Sequence, residues 1–193
     1  MKIIMSIFFS LFLFNKTPTE IAESLKPKNS KIVHQVIQTN IWNIKNVIIA
    51  FYETRYVDPE DKYKHENQYV EAYLLIPDAN EKYRKVLIDK FQDDNVDTNI
   101  ESVFFANADK DAEKELIILS TVEHRLQYLY EGIEYSVSIY DNFSERNIPQ
   151  EMKTLNLPIV GGFDGYTEAD GKSKAKYRNA EDVKKKLKKL GYK

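Results

Sequence analysis

Hydrophobic and polar residues alternate, or form short apolar runs, through most of the chain between residues 31 and 141. Segments of strand length, rich in β-branched and aromatic residues, are separated by polar breakers such as DPEDKYKHEN and PDANE. These segments are KIVHQVIQT, NVIIAFYETRY, QYVEAYLLIP, KYRKVLIDKF, ESVFFA, ELIILSTV and IEYSVSIYD. No helical pattern separates them. The spacing therefore predicts a mainly β fold built from antiparallel meanders.

The first residues have a different pattern, which predicts export. Lys2 is followed by the apolar run IIMSIFFSLFLF, which is too short for a membrane-spanning helix of about 20 residues but suits a signal peptide. Residues 1–24 are interpreted as this signal peptide, and a periplasmic or secreted location follows. The cleavage site stays open, because only Ala22-Glu-Ser24 resembles an A-x-S site. An uncleaved membrane anchor and a buried helix are the alternatives.

A helix start follows the apolar run. Thr17-Pro-Thr-Glu20 has the form of a capping box with a proline in the first turn, and Pro27 ends any helix that begins there. If the signal peptide is cleaved after Ser24, this helix is absent from the mature chain.

The segment of residues 142–176 is predicted to be rich in loops. Four of the six glycines lie between Gly161 and Gly171, in the string PIVGGFDGYTEADGK. The favoured interpretation is a simple connecting loop. The alternative is a substrate loop whose polar groups are Asp164, Glu168 and Asp170.

The last residues predict a basic amphipathic helix over residues 179–190. Asn179 is a good N-cap and Gly191 a C-cap, and the apolar residues repeat at helical spacing: Ala180, Val183, Leu187 and Leu190. From Lys172 onward the chain has ten basic and two acidic residues. The favoured interpretation is that the apolar stripe docks on a sheet and the lysines face water. Contact with anionic lipid headgroups or with an acidic partner is the alternative.

Composition limits the function classes. The chain has 193 residues, 42% of them hydrophobic, which is enough for one sizeable core, so residues 28–193 are predicted to form a single β-rich domain. Cysteine is absent, which excludes disulfides and thiolate metal sites. The net charge of -2 gives no reason to expect a nucleic-acid partner.

A candidate cation loop lies between the strands ESVFFA and ELIILSTV. In the string NADKDAEKE, oxygen-bearing side chains stand at the first, third, fifth and ninth positions: Asn107, Asp109, Asp111 and Glu115. A hard cation such as calcium binds six to eight oxygens, and alternate side chains of a tight loop can converge on one point. The loop is not an EF-hand, because Ala112 replaces the turn glycine, Ile118 replaces the final glutamate and the flanks are strands.

The stretch FFANADKDAEKELIIL resembles the FG-GAP or VCBS-type repeat, in which a D-x-D-x-D-G-x-x-D/E loop joins two strands. The order of the surrounding strands is similar to that of small exported VCBS-like proteins. This resemblance implies a partial propeller-like or sandwich arrangement and a calcium site in the loop. In some members it also implies inhibition of lysozyme-like or other cell-wall-cleaving enzymes. Ala112 and Asn107 depart from the pattern and predict weaker calcium binding, with a solvated acidic turn as the alternative.

Few residues point to catalysis. His34, His65 and His124 have no metal-ligand spacing between them and are interpreted as surface or sheet histidines. The chain has no cysteine nucleophile and no G-x-S-x-G elbow. Residues 93–99, which repeat the alternate spacing of oxygen-bearing side chains, are interpreted as a plain loop. A non-catalytic role is therefore favoured, although a carboxylate pair defined in space remains open.

Tyrosine is abundant, with thirteen in the chain, and four of them cluster in one segment: Tyr128, Tyr130, Tyr135 and Tyr140. Alternation is expected to place their rings on a common face of each strand, where they pack across strands. An exposed aromatic platform for a protein or a glycan is the alternative.

The sequence thus predicts an exported envelope protein that acts as a non-catalytic binding module. The first expectation for the partner is another envelope protein, with an inhibitor or immunity-like role. The second is a carbohydrate-directed protein, in which calcium is structural and glycans are bound or hydrolysed. The third is a module held weakly at an anionic membrane by its lysine-rich helix.

Overall fold

A computed structural model gives the architecture of most of the chain. It describes residues 16–80, 82–93, 96–126, 129–141, 150–151, 157–159 and 161–192. Within these residues the protein has two antiparallel sheets and two short helices, which confirms the predicted mainly β fold with a C-terminal helix. Residues 1–15, which hold the apolar run of the predicted signal peptide, lie outside the described residues.

The first sheet is formed by the strands of the N-terminal half. In chain order they are β1 (Ser30–Ile32), β2 (Ile37–Thr39), β3 (Val47–Val57), β4 (Glu66–Pro77) and β5 (Tyr83–Phe91). The order in the sheet is β1-β3-β4-β5, and β2 pairs with β3 along the same edge as β1. KIVHQVIQT is therefore two strands and not one, because the chain bends between Ile32 and Ile37.

The second sheet is formed by the strands of the C-terminal half. They are β6 (Thr98–Ala106), β7 (Glu115–Leu126), β8 (Tyr130–Asp141), β9 (Gln150–Glu151), β10 (Gly162–Thr167) and β11 (Gly171–Ser173). The order is β11-β10-β8-β7-β6, and β9 pairs with β8. The glycine-rich string, predicted as a connecting loop, thus contains the β10–β11 hairpin.

Glycines make the pairing of β8 with β10 close. Gly132 and Gly165 stand opposite each other, and the ring of Phe163 lies over both, so that a Cβ on Gly132 would be 2.7 Å from this ring. The ring fills the space that two side chains would otherwise occupy. Glycine in PIVGGFDGYTEADGK therefore permits a strand here.

The two sheets pack face to face and each carries a helix on its other face. The inner core joins apolar residues of β3, β4 and β5 to Leu116, Ile118 and Tyr140 of the second sheet. Between the sheets, Gln68 exchanges two hydrogen bonds of 2.9 Å with the backbone of Thr98. The described strands do not close into a propeller.

Helix α1 (Pro18–Leu25) covers the outer face of the first sheet. Its capping box forms as predicted, with Glu20 N–H donating to the hydroxyl of Thr17 and the Glu20 carboxylate accepting from Thr17 N–H. Ala22 is fully buried, and the hydroxyl of Tyr52 donates to its carbonyl at 2.9 Å. The apolar run of β3 is buried on both faces because α1 lies on one side and the second sheet on the other.

Helix α2 (Ala180–Lys189) covers the outer face of the second sheet. Asn179 caps it by accepting from Asp182 N–H at 3.0 Å. Val183 and Leu187 are buried against Ile117 and Leu119 of β7, while the lysines lie on the exposed faces. The apolar stripe thus docks on a sheet, as the favoured interpretation predicted. Among the described residues no helix is long and apolar enough to cross a membrane.

Candidate cation site and its surroundings

The candidate loop joins β6 to β7 at one end of the second sheet. Its polar side chains hold the backbone in successive turns: Asp109 accepts from Asp111 N–H and Asp111 from Glu113 N–H, each at 2.8 Å. The amide nitrogen of Asn107 donates to the carbonyl of Asp111 at 2.8 Å. Short polar side chains favour such local bonds over a continued sheet ladder, which explains why the chain turns here.

Three of the four predicted ligands converge. One carboxylate oxygen each from Asp109, Asp111 and Glu115 lies within 4.8 Å of the others. Asp111 is exposed, whereas Glu115, the first residue of β7, is fully buried. The cluster therefore runs from solvent into the protein.

Glu115 has an unusual environment for a carboxylate. One of its oxygens accepts from the backbone N–H of Ala108, but Oε1 is buried and has no hydrogen-bond partner among the described residues. The same holds for Oδ1 of Asn107, the fourth predicted ligand. Burial, with the negative charges of Asp109 and Asp141 nearby, raises the pKa of Glu115 to about 7.

These donors fit a hard divalent cation. All four predicted ligands offer oxygen, which calcium prefers, and two of the oxygens are buried without a partner, which is unfavourable unless something binds them. Ala112 stands where the family pattern has glycine, but its φ is not positive. The described residues other than glycine that do have a positive φ are Asn29, Trp42, Asn46 and Lys64. The loop therefore does not need a glycine at this position.

Two grooves flank the loop and share Phe105 and Lys114. The first, of about 550 Å³, lies against α2 and also includes Lys184, Leu187 and Lys188. The second, of about 520 Å³, lies towards the first sheet and is bordered by Ile41, Trp42, Ala112 and Glu113. The loop thus forms a ridge between two depressions that combine apolar side chains with lysines.

Comparison of the chain with models of protein families, with curated proteins and with solved structures gave no match. The resemblance to FG-GAP and VCBS-type repeats therefore stays a prediction. It rests on the loop residues and the order of the strands.

The clustered tyrosines do not share a face. Tyr140 is in the inner core and donates to Asp89, which agrees with the favoured interpretation of core packing and not with the alternative of an exposed platform. Tyr135 packs on the outer face beside the residues under α2, and Tyr130 stacks on Phe163. Tyr128 lies outside the described residues. Tyr135 and Tyr140 are five residues apart, and an odd spacing puts side chains on opposite faces of a strand.

The polar groups of the glycine-rich string are spread along the β10–β11 hairpin. Asp164 forms an ion pair with Arg178 at 3.2 Å, and Asp170 N–H donates to the Thr167 hydroxyl within the turn. The ion pair gives the side chain of Asp164 a structural role, whereas the hydrogen bond of Asp170 belongs to its backbone and not to its side chain.

Sequence reasoning missed a cluster around His124. The ring nitrogen Nε2 of His124 lies 3.1 Å from Oε2 of Glu134, and Asp93 completes a group of three potential ligands. The hairpin of β7 and β8 brings His124 and Glu134 together although they are ten residues apart, so neither helical nor strand spacing indicates the pair. Asp93 belongs to the string interpreted as a plain loop.

Proposed function

We propose that the protein is a non-catalytic binding module in which residues 107–115 hold a calcium ion and shape the surface that meets a protein partner. The observation that supports this most directly is the pair of buried, unpartnered oxygens, Oε1 of Glu115 and Oδ1 of Asn107. They belong to two of the four residues that spacing alone selects as ligands. An exported envelope protein is the setting that the N-terminal sequence predicts.

The roles of the four ligands differ. Asp109, Asp111 and Glu115 would supply negative charge, and Asn107 a neutral oxygen. A bound calcium ion would supply positive charge to the buried carboxylate and a rigid centre to the loop. Lys114 is part of the loop, Phe105 lies just before it, and both residues line both grooves. Order in the loop would therefore set the shape of the grooves.

A protein partner is supported by the character of these grooves. Interfaces favour aromatic residues at their centre and polar residues at their rim. Trp42 and Phe105 supply the former, and Lys114, Lys184 and Lys188 supply a basic rim. The partner expected here presents apolar side chains next to acidic ones.

Calorimetric titration of calcium into chelator-treated protein tests the cation site. We expect binding that is lost in Asp109→Ala and Asp111→Ala and reduced at least tenfold in Asp111→Asn. Asp78→Asn is a matched control, because Asp78 accepts turn hydrogen bonds from Asn80 and Lys82 N–H but belongs to no carboxylate cluster among the described residues. No heat in the unmodified protein, or an equal loss in Asp78→Asn, would refute the calcium site.

Affinity capture from envelope extracts, followed by measurement with the purified partner, tests the binding surface. We expect binding that a calcium chelator reduces and that Lys114→Glu abolishes. Lys62→Glu, on the turn between β3 and β4, should leave it unchanged. A partner that binds equally well to Lys114→Glu would place the surface elsewhere.

A second function, glycan binding, is favoured by another groove. It has a volume of about 590 Å³ and is bordered by Tyr130, Phe163 and Tyr177 together with the polar residues Asp170 and Ser173. Aromatic rings with a few polar groups suit a sugar. Envelope glycans that bind the unmodified protein but not Tyr177→Ala would support this function over the first.

A further inference from the structure

Three residues near the second sheet form a cluster that the candidate calcium loop does not explain. His124 lies on β7 and Glu134 on β8, while Asp93 lies in the connection that crosses from the first sheet to the second. One potential ligand atom from each lies within 4.8 Å of the others. The cluster belongs to the inner face of the second sheet, because His124 has the same parity on β7 as the core residues Leu116 and Ile118.

We propose that Asp93, His124 and Glu134 form a second metal site, for a divalent transition-metal ion of the zinc type. One imidazole and two carboxylates are a donor set that suits zinc and its neighbours rather than calcium, which takes oxygen ligands alone. In a tetrahedral zinc site with bonds near 2.0–2.1 Å, ligand atoms stand about 3.3 Å apart. Nε2 of His124 and Oε2 of Glu134, at 3.1 Å, are already at this spacing.

Aromatic side chains fix the histidine. The ring of Tyr130 lies 4.4 Å from that of His124, and Phe163 stacks on Tyr130 with centroids 4.5 Å apart. The strand residue opposite His124 is Gly132, so no side chain of β8 separates His124 from Phe163. The His124 side chain is only 15% exposed. A preorganised imidazole with an apolar wall is what a metal site requires of its surroundings.

The charge balance of the cluster also points to a cation. Among the described residues, the only ion pair of either carboxylate is that of Glu134 with His124. No Lys or Arg that the structure describes pairs with either acid, and the Tyr130 hydroxyl donates to Glu134 at 3.4 Å. A divalent ion would compensate both carboxylates.

The site would have a structural and a binding consequence. Asp93 precedes β6 and the other two ligands lie on the β7–β8 hairpin, so the ion would tie the crossing connection to the second sheet. Three protein ligands leave a coordination position for water or for a side chain of a partner. Neither consequence depends on the calcium loop.

Calorimetric titration of zinc, with calcium in excess so that the loop is saturated, tests the proposal. We expect one zinc ion per chain and affinity reduced at least tenfold in His124→Gln, Glu134→Gln and Asp93→Asn. His65→Gln is the matched control, because His65 also pairs with a carboxylate, that of Asp61 at 2.8 Å, but has no third ligand in the described part of the chain. Asp109→Asn should leave zinc affinity unchanged, which separates this site from the calcium loop.

Cobalt binding provides a second measurement, which distinguishes a metal site from a simple ion pair between His124 and Glu134. Substitution by Co²⁺ should give the visible absorption of a four-coordinate ion, and Glu134→Gln, at a side chain that is 45% exposed, should remove it without loss of folding. The proposal is overturned if zinc does not bind, if His65→Gln weakens binding as much as His124→Gln does, or if Asp109→Asn abolishes it.

Discussion

At the scale of single residues, the environment of Glu115 is unfavourable for the stability of the folded protein but would favour the proposed cation. Its carboxyl group is fully buried and one of its oxygens has no partner among the described residues. A buried carboxylate in this state is less favourable than a protonated acid. The same features that destabilise the calcium-free protein would favour a cation, since the ion replaces the proton.

Glu115 should make the stability of the calcium-free protein depend on pH. Its pKa is raised from 4.5 to about 7 in the folded protein, so between these values the folded protein keeps a proton that the unfolded chain has released. Without calcium, the contribution of Glu115 to the free energy of unfolding should fall by up to about 3 kcal/mol as the pH rises from about 4.5 to about 7. Urea unfolding over this range, compared with Glu115→Gln, measures it. An identical pH profile in Glu115→Gln would contradict the assignment.

Calcium binding should be linked to the same proton. At about pH 6 the calcium-free protein holds the Glu115 proton, so binding should release about one proton per ion and strengthen as the pH rises to about 7. Calorimetry in buffers with different ionisation enthalpies counts the proton. At about pH 8 the release should vanish, and proton release that is unchanged there would exclude Glu115 as its source.

Gly132 is a second residue with a specific prediction. An added Cβ would lie 2.4 Å from the carbonyl oxygen of Asp164, so Gly132→Ala must push β10 away or displace Phe163. We expect a loss of stability about 1–3 kcal/mol larger than that of Gly171→Ala. Gly171 also has a positive φ, of 71°, but nothing lies within 4 Å of its added Cβ, so it isolates the backbone contribution. Equal losses in urea unfolding would refute the packing argument.

Residue spacing predicted one cluster and missed the other for a simple reason. Asp109, Asp111 and Glu115 are close in sequence, and a turn is enough to bring them together. His124 and Glu134 meet only because the hairpin register pairs His124 with Gly132 and Val122 with Glu134. Register depends on contacts across the whole sheet, so sequence spacing does not reveal such a pair.

At the scale of elements, α1 makes a contribution that the sequence left open. Ala22 is fully buried in a cluster with Ile48, Tyr52 and Leu75. A chain that begins at residue 26 should therefore be less stable than one that begins at residue 16, by at least about 2 kcal/mol, because apolar side chains become exposed and Tyr52 loses its acceptor. Chemical denaturation of the two purified chains measures the difference.

A double-mutant cycle separates the hydrogen bond from the packing. Tyr52→Phe should cost about 1 kcal/mol in the longer chain, where the hydroxyl donates to Ala22 at 2.9 Å, and almost nothing in the shorter one. Equal effects in both chains would show that the α1 contact does not form. Cleavage after Ser24, the site considered in the sequence, would remove this contact from the mature protein.

Strands could be predicted from the sequence wherever a local run of residues has a strand pattern. Each apolar segment predicted between residues 46 and 141 is a strand, because β-branched and aromatic residues recur at strand length. The split of KIVHQVIQT and the β10–β11 hairpin were not predictable. The first depends on where β3 offers pairing partners, and the second on Phe163 packing over two glycines of different strands.

At the scale of the whole molecule, the order of layers is helix, sheet, sheet, helix. The described strands β1–β5 form one sheet and β6–β11 the other, so among these strands the chain changes sheet once, between β5 and β6. The pattern of apolar residues identified the buried faces of the strands. It did not show which of these faces packs against the other sheet and which packs against a helix. That choice depends on non-local contacts such as those of Tyr140 with β5 and Gln68 with β6.

The shared inner core predicts that the two sheets unfold as one unit. Phe51 of β3 and Ile118 of β7 are both fully buried in the same cluster, so Phe51→Ala and Ile118→Ala should each destabilise the whole protein by about 2–5 kcal/mol. Fluorescence of Trp42, the single tryptophan, and far-ultraviolet circular dichroism should report the same urea midpoint in each variant. Midpoints that separate in either variant would show two independent units.

Calcium should stabilise this single unit through one end of it. The loop borders the groove that contains Trp42. The ion should nevertheless shift the unfolding transitions reported by Trp42 fluorescence and by circular dichroism equally, because the core couples local to global unfolding. At calcium concentrations about 100 times the dissociation constant, the gain should be about 2.7 kcal/mol. Asp111→Asn should lose this gain, whereas Asp78→Asn should keep it. A calcium effect confined to Trp42 fluorescence would mean that the loop binds the ion without being coupled to the rest of the molecule.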